Sequence, residues 1–96
     1  MKLSVVIPCY NEEGSVIPLY EECLQVFGER GIDFELVYVN DGSSDGTLER
    51  LREVCARGDG AVRVVDFSRN FGKDAAIYAG LREAKGEYTA IMDGDM

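Results

Sequence analysis

Four short apolar runs recur along this chain: Leu3 to Ile7, Phe34 to Val39, Val62 to Phe67 and Tyr88 to Met92. Each is rich in β-branched and aromatic residues and close to continuous rather than alternating. A strand with one wet face alternates and a strand covered on both faces does not, so the runs predict strands of a parallel sheet. Three helical patterns lie between them. In the first, Val16, Tyr20, Cys23 and Phe27 share one face, Ser15 is placed to cap the start, and Pro18 falls in the first turn, where its missing N–H costs little. In the second, Leu48, Leu51 and Cys55 form the stripe, Asp45 can cap the start, and Gly58 follows the end. The third runs from about Gly72 to Lys85 and closes at Gly86; it is apolar nearly all round (Ala75, Ala76, Ile77, Tyr78, Ala79, Leu81), which predicts a well-buried helix.

The order β-α-β-α-β-α-β predicts an α/β fold, a parallel, doubly wound sheet with right-handed crossovers. Ninety-six residues make one small domain, and 46% apolar content is enough to offset the entropy of ordering it. The sequence stops at Asp95-Met96, just past the fourth strand, so the expectation is that residues 1–96 are the first part of a longer protein. An unfinished sheet edge would favour self-association into a homo-oligomer.

Composition removes several function classes. A net charge of −8 argues against a nucleic-acid surface, which needs clustered Lys and Arg, but not against a nucleotide presented through a divalent cation. The chain has no histidine, so a Ser-His-Asp triad is impossible. Cys9, Cys23 and Cys55 have no Cys-x-x-Cys spacing and suit neither zinc nor a disulfide framework; a reducing, cytoplasmic setting fits better. No apolar run approaches a membrane span, and Pro8, Asn11 and Glu12 interrupt the N-terminal run that a signal peptide would need.

In open α/β sheets ligands bind outside the carboxyl ends of the strands. Each run here ends in polar residues: Pro8 to Glu12, Asn40 to Gly46, Ser68 to Lys73, and Asp93-Gly94-Asp95. The last places two carboxylates at the mouth of the sheet, hard ligands suited to Mg²⁺ or Mn²⁺ shared with phosphate oxygens; the plainer alternative is an Asp-Gly turn. Asp41 follows the second strand directly and is not needed as the helix cap, so it can accept from a nucleobase N–H or a ribose hydroxyl. Gly-x-Gly-x-x-Gly after the first strand is absent, and Gly72-Lys73 lacks the rest of a phosphate-binding loop. Lys73 and Arg69 either offset diphosphate charge or are solvated surface cations. The cysteines read as small core residues.

Taken together, Val5-Val6-Ile7-Pro8-Cys9-Tyr10-Asn11-Glu12-Glu13, Val39 to Thr47, Arg69-Asn70-Phe71-Gly72-Lys73 and Met92-Asp93-Gly94-Asp95 resemble family 2 glycosyltransferases. The closest likeness is to the polyprenyl-phosphate branch, which the Arg69 to Ala79 stretch singles out. The resemblance implies the N-terminal nucleotide-binding half of a GT-A fold, with the acceptor half beyond residue 96 and the longer protein at the cytoplasmic face of a membrane. It implies a UDP- or GDP-sugar donor, a polyprenyl phosphate acceptor and an inverting, metal-assisted displacement. The implied substrate-binding positions are Pro8, Tyr10, Asn11, Glu12, Asp41, Lys73, Asp93 and Gly94. Asp93 and Asp95 would hold Mg²⁺ or Mn²⁺, with Asp95 the catalytic position. In that branch the middle residue of the acidic triplet is more commonly alanine; Gly94 departs from it while keeping both carboxylates.

Two alternatives stand beside this. A haloacid-dehalogenase-like phosphatase also carries Asp-x-Asp after an apolar strand, but after its first strand and not its fourth. A non-catalytic nucleotide-sugar-binding or interaction module would use this part of the fold alone.

Overall fold

A computed structural model describes residues 3–58 and 61–94. The elements are β1 (Leu3–Cys9), α1 (Val16–Glu29), β2 (Phe34–Asn40), α2 (Thr47–Arg57), β3 (Val62–Asp66), α3 (Lys73–Glu83) and β4 (Tyr88–Ile91), in the predicted alternation. The four strands form one sheet in the order β3-β2-β1-β4, and every pairing is parallel.

Residue alternation divides the core between the two faces of this sheet. Val5, Ile7 and Cys9 of β1 and Leu36 and Tyr38 of β2 pack with Val16, Leu19, Tyr20 and Cys23 of α1 and with Leu51 and Val54 of α2. On the other face Val6 and Val39 meet α3 at Gly80. β1 and β2 are buried along almost their whole length, as continuous apolar runs require; β3 is half-buried and β4 is exposed throughout, because each is an edge strand among the described residues.

The helices depart from expectation in detail. Ser15 occupies the cap position of α1, but its side chain makes no capping bond; the backbone N–H groups of Ser15 and Val16 donate to Glu12 instead. The buried stripe of α2 is Thr47, Leu51 and Val54, with Leu48 and Cys55 at its margins. The cap position of α2 is Gly46 and not Asp45, although Asp45, one residue earlier, accepts from Thr47 N–H at 2.9 Å. The expectation that α3 is well buried is wrong: only Ala76 and Gly80 are buried, and Tyr78 is 64% exposed. The helix lies on the sheet through Ala76 and Gly80, with Ala75, Ile77 and Ala79 half-buried beside them and Tyr78 and Leu81 exposed.

Candidate functional site

The carboxyl ends of β1, β2 and β4 open into one cavity of about 230 Å³, lined by Pro8, Cys9, Tyr10, Glu12, Asp41, Lys73, Asp93 and Gly94. Tyr10, Asp41 and Asp93, far apart in sequence, share one rim. Asn11 is the exception among the described candidates, and Asp95 lies outside the described residues.

Pro8 sits inside the central strand of the sheet, normally a poor place for it. Alternation along β1 points its missing N–H towards β4, the side on which Val6 accepts from Met92 N–H. The β1–β4 ladder ends at Val6 and Ile91, so no ladder bond is forfeited. Asn11 follows with φ 53°, a left-handed conformation asparagine tolerates. It faces away from the cavity and laces two loops together: its N–H donates to Ser43 Oγ (2.9 Å), and its Oδ1 accepts from Ser44 N–H (2.8 Å). Next to it, Glu12 N–H donates to Thr47 Oγ1 at 2.9 Å. Asn11 thereby fixes the turn that presents Tyr10 and Glu12.

Asp41 is 4% exposed and carries a second task that sequence reasoning missed. Its Oδ1 accepts from Phe71 N–H (2.7 Å), and its Oδ2 accepts from Gly72 N–H (3.1 Å) and Asn70 Nδ2 (3.2 Å). These bonds tie the loop before α3 to the end of β2. Gly42, at φ 67°, makes the closeness feasible, because a Cβ there would collide with the backbone of Arg69 and Asn70. Arg69 does not line the cavity; its guanidinium lies 4.4 Å from the centre of the Phe71 ring.

Lys73, the first residue of α3, reaches Asp93 with Nζ 2.5 Å from Oδ1. Gly94 is buried against β1: a Cβ would stand 2.7 Å from the Pro8 carbonyl oxygen and 2.9 Å from Cys9 Sγ. That contact gives glycine a packing reason at this position. Cys9 belongs to the cavity wall, and its place between Pro8 and Tyr10 in sequence was the available signal. Burial, with the nearby Glu12 charge adding to it, pushes its thiol up to about 12, so it stays neutral and is no nucleophile.

Among the described residues no group of three or more His, Cys, Asp or Glu side chains forms a closed metal site. Asp93 nonetheless suits Mg²⁺ or Mn²⁺: its oxygens are hard, it stands at the open mouth, and an ion shared with phosphates takes only one or two protein carboxylates.

A parallel α/β sheet whose strand ends gather these groups around one cavity defines a domain of the open-sheet α/β class, in which ligands bind at the strand ends. Within that class the chain belongs to glycosyl transferase family 2, whose model matches residues 4–96. It is 43% identical over 96 residues to the dodecaprenyl-phosphate galacturonate synthase of Rhizobium johnstonii, covering 100% of this chain and 28% of that protein. Among solved structures, S. aureus TarS 1-349 in complex with UDP-GlcNAc aligns with a TM-score of 0.81 and 31% identity over 99% of this chain and 27% of that one. The mannosyltransferase PcManGT from Pyrobaculum calidifontis, in complex with GDP-Man and Mn²⁺, aligns with a TM-score of 0.77 and 34% identity over 98% of this chain and 27% of that one. The fold is therefore that of GT-A glycosyltransferases, and the phosphatase alternative falls. The chain spans less than a third of the length of these relatives. Among the described residues no helix is long and apolar enough to cross a membrane.

Proposed function

We propose that the protein carrying this chain transfers a sugar from a UDP- or GDP-sugar to a polyprenyl phosphate, with residues 1–96 as the nucleotide-sugar-binding half of its catalytic domain. The observation that carries this reading is the single cavity where Tyr10, Asp41, Lys73 and Asp93 meet. Family membership supports sugar transfer, and the name of the Rhizobium relative supports the lipid phosphate acceptor. Such an acceptor puts the reaction at the cytoplasmic face of a membrane.

Tyr10 and Asp41 would hold the nucleoside. Asp41 already accepts from the α3 loop, but a carboxylate has about four lone-pair sites and keeps capacity for a ligand N–H or hydroxyl. Pro8 and Gly94 form the wall against which the diphosphate lies, and Lys73 offers it positive charge. The displacement is inverting. A phosphate oxygen of the acceptor bonds to the anomeric carbon as the bond to the nucleoside diphosphate breaks, the electron pair leaving with the diphosphate. A Mg²⁺ or Mn²⁺ ion held by Asp93 and Asp95 would supply electrostatic stabilisation of that departing charge. The acceptor is already anionic and makes little demand on a general base, which suits a chain without histidine.

A thermal-shift panel of UDP- and GDP-sugars, with and without Mn²⁺, tests the reading on wild type and on Asp93→Ala/Asp95→Ala. Stabilisation that needs both Mn²⁺ and the carboxylates is expected. Equal stabilisation of the double variant would remove the metal-dependent donor site.

A further inference from the structure

Lys73 and Asp93 form an ion pair inside the proposed donor site, although each side chain is about 60% exposed. Their backbones are held separately. Lys73 follows Phe71 and Gly72, whose amides Asp41 fixes, while Asp93 follows β4 and precedes the Gly94 turn packed on Pro8 and Cys9. The ammonium sits on a flexible four-carbon stem, so it can swing while its Cα stays in place.

A divalent cation on either oxygen of the Asp93 carboxylate would stand close to the ammonium that now contacts Oδ1, and two cations that near each other repel. We propose that Lys73 is a displaceable counter-ion: it neutralises Asp93 while no cation is bound, and it turns to the diphosphate oxygens when a divalent cation arrives with the nucleotide. This rests on the donor-site reading above and extends it. Lys73 then opposes the metal alone and favours the metal–nucleotide pair, so the site loads the two together.

That change of sign is what a purely structural lysine would lack. Exposed ion pairs contribute little, so the expected effect on the metal alone is modest, about two- to five-fold. Mn²⁺ binding to the full chain is measured by the electron paramagnetic resonance signal of free Mn²⁺, first without nucleotide and then with saturating UDP or GDP. Lys73→Met is expected to bind Mn²⁺ alone about two- to five-fold more tightly than wild type, and Mn²⁺ with nucleoside diphosphate about ten-fold more weakly. Lys73→Arg should keep the wild-type order. Arg69→Met is the charge control, since Arg69 lies on the same loop without lining the cavity.

Weaker or unchanged Mn²⁺ binding by Lys73→Met without nucleotide overturns the proposal, as does an equal gain in Arg69→Met. Wild type that binds Mn²⁺ and nucleotide while Lys73→Met shows no change of sign sinks this inference alone. Wild type that binds neither, with Asp93→Asn indistinguishable from it, sinks the donor-site reading as well.

Discussion

The carboxylate of Asp41, at the end of β2, accepts a 2.7 Å hydrogen bond from the backbone N–H of Phe71, in the loop that starts α3. Gly72 N–H and Asn70 Nδ2 complete the set on the other oxygen. One buried side chain therefore faces the cavity and builds the segment that delivers Lys73 to it.

Replacing Asp41 with Asn tests this double duty. The amide keeps one acceptor oxygen and turns a donor towards a backbone N–H that already needs an acceptor. Leaving a buried donor unsatisfied costs about 1–3 kcal/mol. Asp41→Asn is expected to lower the free energy of unfolding, measured by urea denaturation, by that much without nucleotide, and to weaken nucleotide binding besides. Unchanged stability with weakened binding would mean the residue acts on the ligand alone.

Gly80 sets the spacing of α3 on the sheet. Alanine is a better helix former by about 1 kcal/mol. A Cβ here, however, would collide with a methyl of Val6, a fully buried β-branched side chain with little room to turn, and would stand 3.3 Å from Val39 Cγ2. Overpacking a core costs about 1–3 kcal/mol, so the loss outweighs the gain. Gly80→Ala is expected to be less stable than wild type by roughly 1 kcal/mol in urea unfolding. A more stable variant would show that α3 shifts freely.

The thiols give a prediction that needs no substitution. Cys9 and Cys23 are buried, and burial first, with a glutamate nearby second, raises both thiols from their ordinary value. Cys55 is only partly buried. Iodoacetamide at pH 8 should alkylate Cys55 first in the native protein and reach Cys9 and Cys23 only in urea, as read by peptide mass spectrometry. Early labelling of Cys9 would mean that the end of β1 opens.

Much of this architecture was legible in the sequence because burial on both faces of a sheet leaves a simple mark. Continuous apolar runs marked β1 and β2, and their polar ends marked the rim where Pro8, Tyr10, Asp41 and Asp93 gather. Periodicity failed for α3, since a helix apolar all round can be covered on one side only; Ala76 and Gly80 make that contact while Tyr78 and Leu81 stay exposed. Nor does a sequence disclose bonds between distant loops. Asn11 matched a site motif yet turned out to hold Ser43 and Ser44, and the grip of Asp41 on Phe71 and Gly72 depends on how two strand ends converge. Glu35 is the clearest miss, a charge inside an apolar run that reads as an ordinary strand residue.

Glu35 lies buried on the α3 side of the sheet, at the end opposite the cavity. It accepts from Ser4 Oγ (2.5 Å), Lys85 N–H (2.7 Å) and Arg63 (3.1 Å), while Ser4 Oγ accepts from Gly86 N–H at 2.8 Å. The cluster joins β1, β2, β3 and the turn leading into β4. Burial works to raise the Glu35 pKa, but the bonds from Ser4, Lys85 and Arg63 and the charge of Arg63 outweigh it, so the group sits below the ordinary glutamate value of 4.5. The folded chain therefore binds this proton less readily than the unfolded one. The stability Glu35 contributes is fully present above pH 4.5, falls as the pH drops below it, and is gone once the pH passes below the folded value. Hydrogen bonds to a charged group are worth about 1.5–3 kcal/mol. Glu35→Gln should thus be less stable by about 2 kcal/mol at pH 7, with a flatter acid limb that approaches wild type as Glu35 protonates. Urea midpoints of both proteins between about pH 7 and pH 3 check this. Two parallel curves would mean that other carboxylates carry the acid limb and that Glu35 contributes only its shape.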